Sequence, residues 1–341
     1  MSTLNSLPTE ILLQIIPQIT YSPSTISSLS LTSSRFNEIL THHEQTIVKG
    51  YLCGQSFLFA SAALHPGLKI NTYTDIATIH NRTTALADLK AKWWDLTHRQ
   101  DVRWLRCSRW AKIYRAGLLV LYSLQDREQA EEQTRKLKHD IKQEIIRQLP
   151  ATSLACLLFV LVGGMALLRA QGPAVLRREH VCHCALIMDR EAHGEDEVKR
   201  REIELACEEM LLAHGPNYLF AMIQEGGSVD VDSSEHTKPS LNDLSIEAIK
   251  SDNWAMKALV NEAANFTERQ QPNKDGTSKP ITLIATLRQA LAAAAECRVC
   301  ETKGKMWEIL SATGFDSIDD TKLAALATGE KVDGGGKRVG F

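Results

Sequence analysis

Apolar residues recur at helical spacing along nearly the whole chain, while the alternating β-branched runs that mark β-hairpins are almost absent. The clearest stretch lies near the N-terminus, where apolar positions repeat with a period of about 3.6 residues. Such a stripe predicts a helix with one face turned towards a hydrophobic surface. Its members are Leu7, Ile11, Leu12, Ile15, Ile16 and Ile19. The pattern along the chain predicts an all-α fold.

Three short helices are predicted within residues 1–50. Pro8 suits a first helical position because it has no N–H to leave unpaired, and Glu10 meets the positive end of the helix dipole. Pro17 removes a backbone donor and ends or bends this helix. The second helix is expected to begin at Ser24 or Thr25 and to carry Ile26 and Leu29; the third is expected to be capped within Thr32–Ser34 and to carry Phe36, Ile39, Leu40 and Ile47. Three short helices can enclose little apolar surface by themselves. We therefore expect the rest of the chain or a partner to cover part of the stripe.

Breaks rich in proline, glycine and serine divide the remaining chain, and no repeat with a period of about 20–50 residues is present. The predicted organisation is a three-helix unit at 1–50, a larger irregular helical domain at 51–327 and a disordered tail at 328–341. The longest breaks, expected to be exposed loops, are Gly226–Ser240 and Gln271–Pro280.

Composition narrows the class of protein. Hydrophobic residues make up 44% and charged residues 23% of the 341 residues, which allows a sizeable core. The formal net charge of −2 gives no global attraction to nucleic acid or anionic lipid. The opening MSTLNSLPTE lacks the basic-then-apolar pattern of a secretory signal, and the eight cysteines are scattered. We expect a cytoplasmic and/or nuclear protein with reduced thiols.

The N-terminal segment also carries a family resemblance. The run SLPTEILLQII, followed by STISSLSLTSSRFNEIL, resembles the F-box motif, in particular the version found in many fungal F-box proteins. The Leu-Pro-x-Glu start, the Ile/Leu stripe, the Leu-Ser-Leu-x-Ser segment and the Arg-Phe pair agree in order. The resemblance implies that these helices bind the Skp-family adaptor of a cullin ubiquitin ligase, and that the rest of the chain recruits a protein substrate. It implies a receptor that is not an enzyme and has no cofactor; the sequence does not identify the substrate.

The resemblance covers about the first fifty residues and assigns roles to eight positions. Seven would give apolar adaptor contacts or the packing beneath them, and Glu10 would form a polar rim. Three departures from the family pattern stand out: Pro17 interrupts the first helix, the loop to Thr25 is slightly long, and Thr25 stands where many members carry Asp. The seven apolar positions are Leu7, Pro8, Ile11, Ile15, Ile16, Leu29 and Phe36.

Three other interpretations of the chain remain open at this point. The N-terminal helices could be a cap on one continuous α domain. The protein could be an F-box scaffold that binds the adaptor outside the cullin ligase. It could also be a membrane-anchored helical protein that uses Leu154–Leu168 as its span.

The stretch KWWDLTHRQDVRWLRCSRWAKIYRAGLLVLY mixes tryptophan with arginine. Both residues are favoured at binding hot spots, so the stretch is a candidate substrate surface. Its alternatives are a nucleic-acid surface, which the balanced charge disfavours, and an amphipathic helix whose arginines lie over the rim of the core. The candidate residues are Arg99, Arg103, Trp104, Arg106, Arg109 and Trp110.

Leu154–Leu168 contains no charged residue. As a helix it would extend about 22 Å, whereas the hydrocarbon core of a bilayer is about 30 Å thick. The length therefore favours a central buried helix over a membrane span. The adjacent Gly163 and Gly164 would allow close helix contacts.

Cysteine and histidine clusters raise the question of zinc. Cys182 and Cys184 lie beside two histidines, and Cys297 and Cys300 form a CxxC pair. The second pair is near the end of an alanine-rich helical run, Thr282–Ala295, where its spacing places both on one helix face. Ordinary cysteines are therefore favoured over a metal site, and we expect no metal or cofactor. No nucleophile elbow, HExxH, Walker or dinucleotide motif is present.

Overall fold

A computed structural model describes residues 7–96, 107–131, 137–173, 176, 194–226, 253–270 and 281–329. All the secondary structure in these ranges is helical, so the prediction of an all-α fold is confirmed. The predicted loops at Gly226–Ser240 and Gln271–Pro280 lie almost wholly outside these ranges, as does the tail from residue 330 onwards.

Six helices form the N-terminal part of the fold. A 3-10 turn, Ile16–Gln18, follows the first of them directly and marks the helix end predicted at Pro17. The six are α1 (Thr9–Ile15), α2 (Pro23–Thr32), α3 (Ser34–His42), α4 (Glu44–Gly54), α5 (Ser56–Ala63) and α6 (Tyr73–Leu96).

Nine further helices are described after residue 106. Two more 3-10 turns, Val299–Glu301 and Phe315–Ser317, connect the last three. The nine are α7 (Ser108–Glu131), α8 (Lys138–Gln148), α9 (Ala151–Gln171), α10 (Gly194–His214), α11 (Pro216–Gly226), α12 (Trp254–Gln270), α13 (Leu283–Ala294), α14 (Thr302–Ala312) and α15 (Asp320–Thr328).

Two hydrophobic cores hold these helices together. The smaller core lies among α1, α3, α4, α5 and the start of α6, and it contains residues on both sides of position 50. Its buried members are Leu12, Ile16, Tyr21, Phe36, Ile39, Leu40, Ile47, Val48, Tyr51, Leu58 and Ile76. The larger core begins at Leu64 and extends to Ala327. We call the two parts the N-terminal unit and the helical domain.

The centre of the helical domain is α9. Helices α7, α10, α11, α13, α14 and α15 all pack against it. Of the described helices, α9 has the length and apolarity needed to cross a membrane, and 78% of its most apolar window is buried inside the fold. The prediction that this run forms a buried central helix is confirmed.

Glycine permits a close crossing of α7 and α9 in this domain. A Cβ on Gly117 of α7 would lie 2.3 Å from the carbonyl oxygen of Cys156 on α9 and 2.3 Å from Cγ2 of Val160. The predicted glycine contact on α9 itself is looser, since a Cβ on Gly164 would lie 3.2 Å from a Leu211 methyl. Because a Cβ would clash there, the close approach of α7 to α9 requires glycine at position 117.

Helix α6 belongs to both parts of the fold. Near its start Ile76 is buried in the core of the N-terminal unit, and thirteen positions later Leu89 is buried in the core of the helical domain. One continuous helix therefore carries the chain from one core to the other.

Candidate functional site

The start of α1 is tied to α3. The helix begins at Thr9, and Pro8 is its N-cap with extended backbone, ψ 147°. Pro8 was predicted as the first helical residue, so this position is wrong by one. The carbonyl of Leu7 accepts a hydrogen bond from the Arg35 guanidinium at 2.6 Å. Glu10 lies exposed in the first turn, where it is free to form a polar rim.

Only one face of α1 is buried. Leu12 and Ile16 are each 1% exposed and belong to the core of the N-terminal unit. On another face, Ile11, Ile15 and Ile19 are 41%, 37% and 37% exposed. Ile11 and Ile15 are four residues apart and share one side of α1, and Ile19 follows directly after the 3-10 turn with extended backbone. We call these three residues the isoleucine ridge.

The turn after α1 fixes the end of this ridge. The ring of Pro17 packs against α4, where a Cβ on Gly50 would lie 2.6 Å from the proline Cγ. The Gln55 amide donates to the carbonyl of Pro17 at 3.3 Å and to that of Ile19 at 2.7 Å, and its oxygen accepts from the Tyr21 N–H at 3.2 Å. A glycine and a glutamine of this chain therefore accommodate the proline that departs from the F-box pattern.

The N-terminal cap of α2 differs from the prediction. The cap is Ser22, whose hydroxyl oxygen accepts a hydrogen bond from the Thr25 N–H at 3.0 Å. Pro23 follows as the first helical residue, the position that proline favours. The predicted caps, Ser24 and Thr25, are wrong because both already lie in the first turn of the helix.

Helix α2 has no buried residue. Its apolar positions Ile26 and Leu29 are half-buried, and Leu31 is 86% exposed. Sequence analysis missed Leu31 because it lies two positions after Leu29, on a different side of the helix. This spacing could have indicated from the sequence that Leu31 is exposed, because it places Leu31 outside the apolar stripe that packs on α3.

Below this surface, α3 supplies the packing. Its predicted cap is confirmed within Thr32–Ser34: the Ser33 hydroxyl accepts from the Phe36 N–H at 3.2 Å. The Phe36 side chain is only 5% exposed and lies in the core of the N-terminal unit. The predicted adaptor-contact residues therefore divide by burial: Ile16 and Phe36 are buried, Leu7 and Leu29 are half-buried, and Pro8, Glu10, Ile11 and Ile15 are exposed.

Arg109 and Trp110, two of the six residues predicted as a substrate surface, make contacts within the helical domain. The Arg109 guanidinium donates to three carbonyls at the end of α14, at 2.9, 2.5 and 3.2 Å. The Trp110 ring lies against Phe159 and Trp307, with centroid distances of 5.4 and 4.9 Å. Both therefore contribute to packing at the edge of the core. Arg99, Arg103, Trp104 and Arg106 lie outside the described residues.

The CxxC pair lies on a turn. Helix α13 ends at Ala294, and Cys297 follows Glu296, whose φ of 50° is left-handed. Cys300 is in the 3-10 turn before α14, so the expectation that both share a helix face is wrong. Both are free thiols, and the part of the chain that the structure describes contains no group of three or more metal-binding side chains. Cys182 and Cys184 lie outside that part.

A buried polar cluster joins α6 to α7 and was not found from the sequence. Arg82 and Asp126 form an ion pair, with His65 and Tyr122 beside it. These residues are up to 61 positions apart (126 − 65) in the chain. No local spacing signals such a contact.

The segment that resembles an F-box thus leaves large apolar side chains exposed, namely those of the isoleucine ridge and Leu31. Comparison of the whole chain with protein-family models, with curated proteins and with solved structures finds no match.

Proposed function

We propose that the N-terminal unit binds a Skp-family adaptor, and that the protein recruits other proteins to a cullin-type ubiquitin ligase. One observation supports this most strongly. The segment with the F-box resemblance is the one that leaves the isoleucine ridge and Leu31 exposed after its own core has formed.

The exposed apolar side chains of the isoleucine ridge and Leu31 gain from contact with a protein partner. Covering apolar surface is favourable by about 25 cal/mol per Å², so each isoleucine of the ridge gains from burial against a partner. Helix α2 has the sequence PSTISSLSLT, in which serine, threonine and isoleucine are only moderate helix formers. With no buried residue and modest propensity, α2 has little stabilisation of its own and gains from such contact.

The proposed role is that of a receptor. The N-terminal unit contacts the adaptor, the helical domain contacts the recruited protein, and the ubiquitin chemistry belongs to the partners. The protein then has no catalytic residue of its own and acts in the cytoplasm and/or the nucleus, where these ligases assemble. Arg109 and Trp110 contribute to packing and are half-buried, so each can contact a recruited protein only with the part of its side chain that stays exposed.

Co-expression with a Skp-family adaptor tests the proposal. We expect the wild-type chain to co-purify with the adaptor, and Ile11→Asp or Ile15→Asp to weaken binding by at least about 100-fold, since a charge buried in an apolar interface costs several kcal/mol. Both positions are exposed in the free chain, so the variants should fold. A matched control is Leu137→Asp, which places the same charge at a residue 72% exposed on the helical domain.

The possible results separate the interpretations. Equal adaptor binding by Ile11→Asp, Leu137→Asp and the wild type would contradict the proposed surface. Failure of the wild-type chain to bind adaptor would favour the N-terminal helices as a cap on the helical domain. Co-purification of adaptor without cullin would favour the scaffold role.

A further inference from the structure

A buried ion pair lies where the N-terminal unit meets the helical domain. Nη1 of Arg82 is 2.9 Å from Oδ2 of Asp126, and Nη2 is 2.5 Å from Oδ1. The two side chains are 9% and 2% exposed. This two-point geometry fixes the plane of both groups, which a single hydrogen bond does not do.

Two more side chains enclose the arginine. Its guanidinium carbon lies 4.5 Å from the ring centroid of Tyr122, and its Nη1 lies 3.4 Å from Nδ1 of His65. Arginine has only donors, so the imidazole nitrogen accepts. The rings of His65 and Tyr122 meet edge to face at 5.6 Å. Burial, together with the Arg82 charge, lowers the pKa of His65 to about 4, which keeps this acceptor neutral near pH 7.

This cluster of four side chains lies between the two hydrophobic cores. Arg82 lies on α6 between Ile76, which is buried in one core, and Leu89, which is buried in the other. Asp126 and Tyr122 lie on α7, a helix of the helical domain. His65 lies in the loop between α5 and α6. The cluster therefore joins three segments at the place where the two cores adjoin.

Buried ion pairs contribute little net stability, because desolvation offsets much of their attraction. Their better-attested effect is to select one arrangement, since any shift leaves a buried charge without its partner. Apolar side chains at the same junction would tolerate sliding at lower cost.

We propose that His65, Arg82, Tyr122 and Asp126 form a joint that fixes the orientation of the N-terminal unit on the helical domain. With respect to ligase function, this inference rests on the function proposed above: the joint then holds the isoleucine ridge at one distance and angle from the surface that recruits a protein.

Spin-label distance measurements on the isolated chain test the joint. Cys53 on α4 and Cys300 before α14 are exposed and provide one label in each part. Cys107, Cys182, Cys184 and Cys297 are replaced by serine, while the buried Cys156 and Cys207 remain. We expect one narrow distance distribution for this background. In the double variant Arg82→Met/Asp126→Leu, the distance distribution should become at least twice as wide, while the helix content of the chain stays unchanged.

Matched controls make the result specific. Arg169 and Glu204 form a similar two-point pair inside the helical domain, at 2.7 and 2.5 Å. Arg169→Met/Glu204→Leu should leave the distribution unchanged. If Arg82→Met/Asp126→Leu does not fold, Arg82→Lys serves instead. Lysine keeps the positive charge but cannot form the two parallel hydrogen bonds to Asp126, so this variant should also broaden the distance distribution.

Two results would overturn the joint: a broad distribution in the unaltered background, or an unchanged width when Arg82 is replaced. Neither depends on an adaptor. A chain that loses adaptor binding with Ile11→Asp but keeps its narrow distribution would support both proposals, whereas a wild-type chain that never binds adaptor would contradict only the proposed function.

Discussion

At the residue scale, His65 makes stability depend on pH. The ordinary pKa of histidine is 6.5, and in the folded chain the pKa of His65 is lowered to about 4. Burial lowers it most and the charge of Arg82 comes next, whereas Asp126 has the opposite effect and Arg115 lowers it further. Because the folded state resists protonation of His65, the stability that depends on its neutral form is fully present above pH 6.5 and is lost as the pH drops from about 6.5 to about 4. The full loss is roughly 3 kcal/mol. Urea unfolding of wild type and His65→Gln at pH 7 and pH 4.5 measures it, and an equal loss in both proteins would contradict the assignment.

A second prediction concerns Glu209, whose buried carboxylate accepts from the N–H groups of Leu283 and Ile284 at 2.7 and 3.0 Å. These are the first residues of α13, where unsatisfied donors and the helix dipole both favour an anion. Glu209→Ala should destabilise the fold by about 2–4 kcal/mol in urea unfolding, because it leaves two buried donors unpaired. Glu209→Gln keeps an acceptor and should cost less. Equal stability of Glu209→Ala and wild type would show that water replaces the carboxylate.

These residue-scale contacts show where sequence reasoning stops. Glu209 meets a helix that begins 74 positions later, and Arg82 meets Asp126 across 44 positions. Nothing in the local pattern distinguishes a buried glutamate or arginine from one on a solvated helix face. Only the packing of α6, α7, α10 and α13 reveals these polar contacts.

At the element scale, α2 is predicted to respond to the adaptor. Its amides should exchange with solvent quickly in the free chain, because the helix buries no side chain. Bound adaptor should slow their exchange by mass action, and the isoleucine ridge should gain protection with it. Hydrogen-exchange mass spectrometry over residues 7–40 provides the measurement. Helix α9 serves as the internal control, since its amides should be slow in both states; slow exchange of α2 without adaptor would contradict the prediction.

Element prediction succeeded where the signal was local. The end of α1 just before Pro17, the Ser33 cap and the helix spanning 154–168 follow from proline chemistry, hydroxyl capping and a continuous apolar run, respectively. The cap of α2 was misplaced because Ser22, Ser24 and Thr25 carry equivalent hydroxyls around Pro23. The CxxC pair was placed on a helix because alanine favours helix up to Ala295, and the sequence shows no glycine where Glu296 turns left-handed.

At the scale of the whole molecule, the all-α class was predictable because helical periodicity repeats throughout the chain. The sharing of α6 between two cores was not predictable. Its apolar positions Ile76, Ile79 and Leu89 form one helical pattern. This pattern does not indicate which of the two cores each side chain enters. The candidate site was predicted as a segment, whereas the division of its residues into exposed and buried required the fold.

The last prediction concerns the centre of this architecture. Val160 is fully buried on α9, and its Cγ2 lies at the close crossing with Gly117 of α7. Val160→Asp places a charge there without a partner and should cost more than about 4 kcal/mol, a large part of the roughly 5–15 kcal/mol by which most domains are stable. Val162→Asp makes the same change two positions along the helix, at a half-buried side chain, and should cost clearly less because the carboxylate reaches water. Circular dichroism during urea unfolding compares the two. Equal stability of both variants would mean that α9 is not the core of the helical domain, since the two positions differ chiefly in burial.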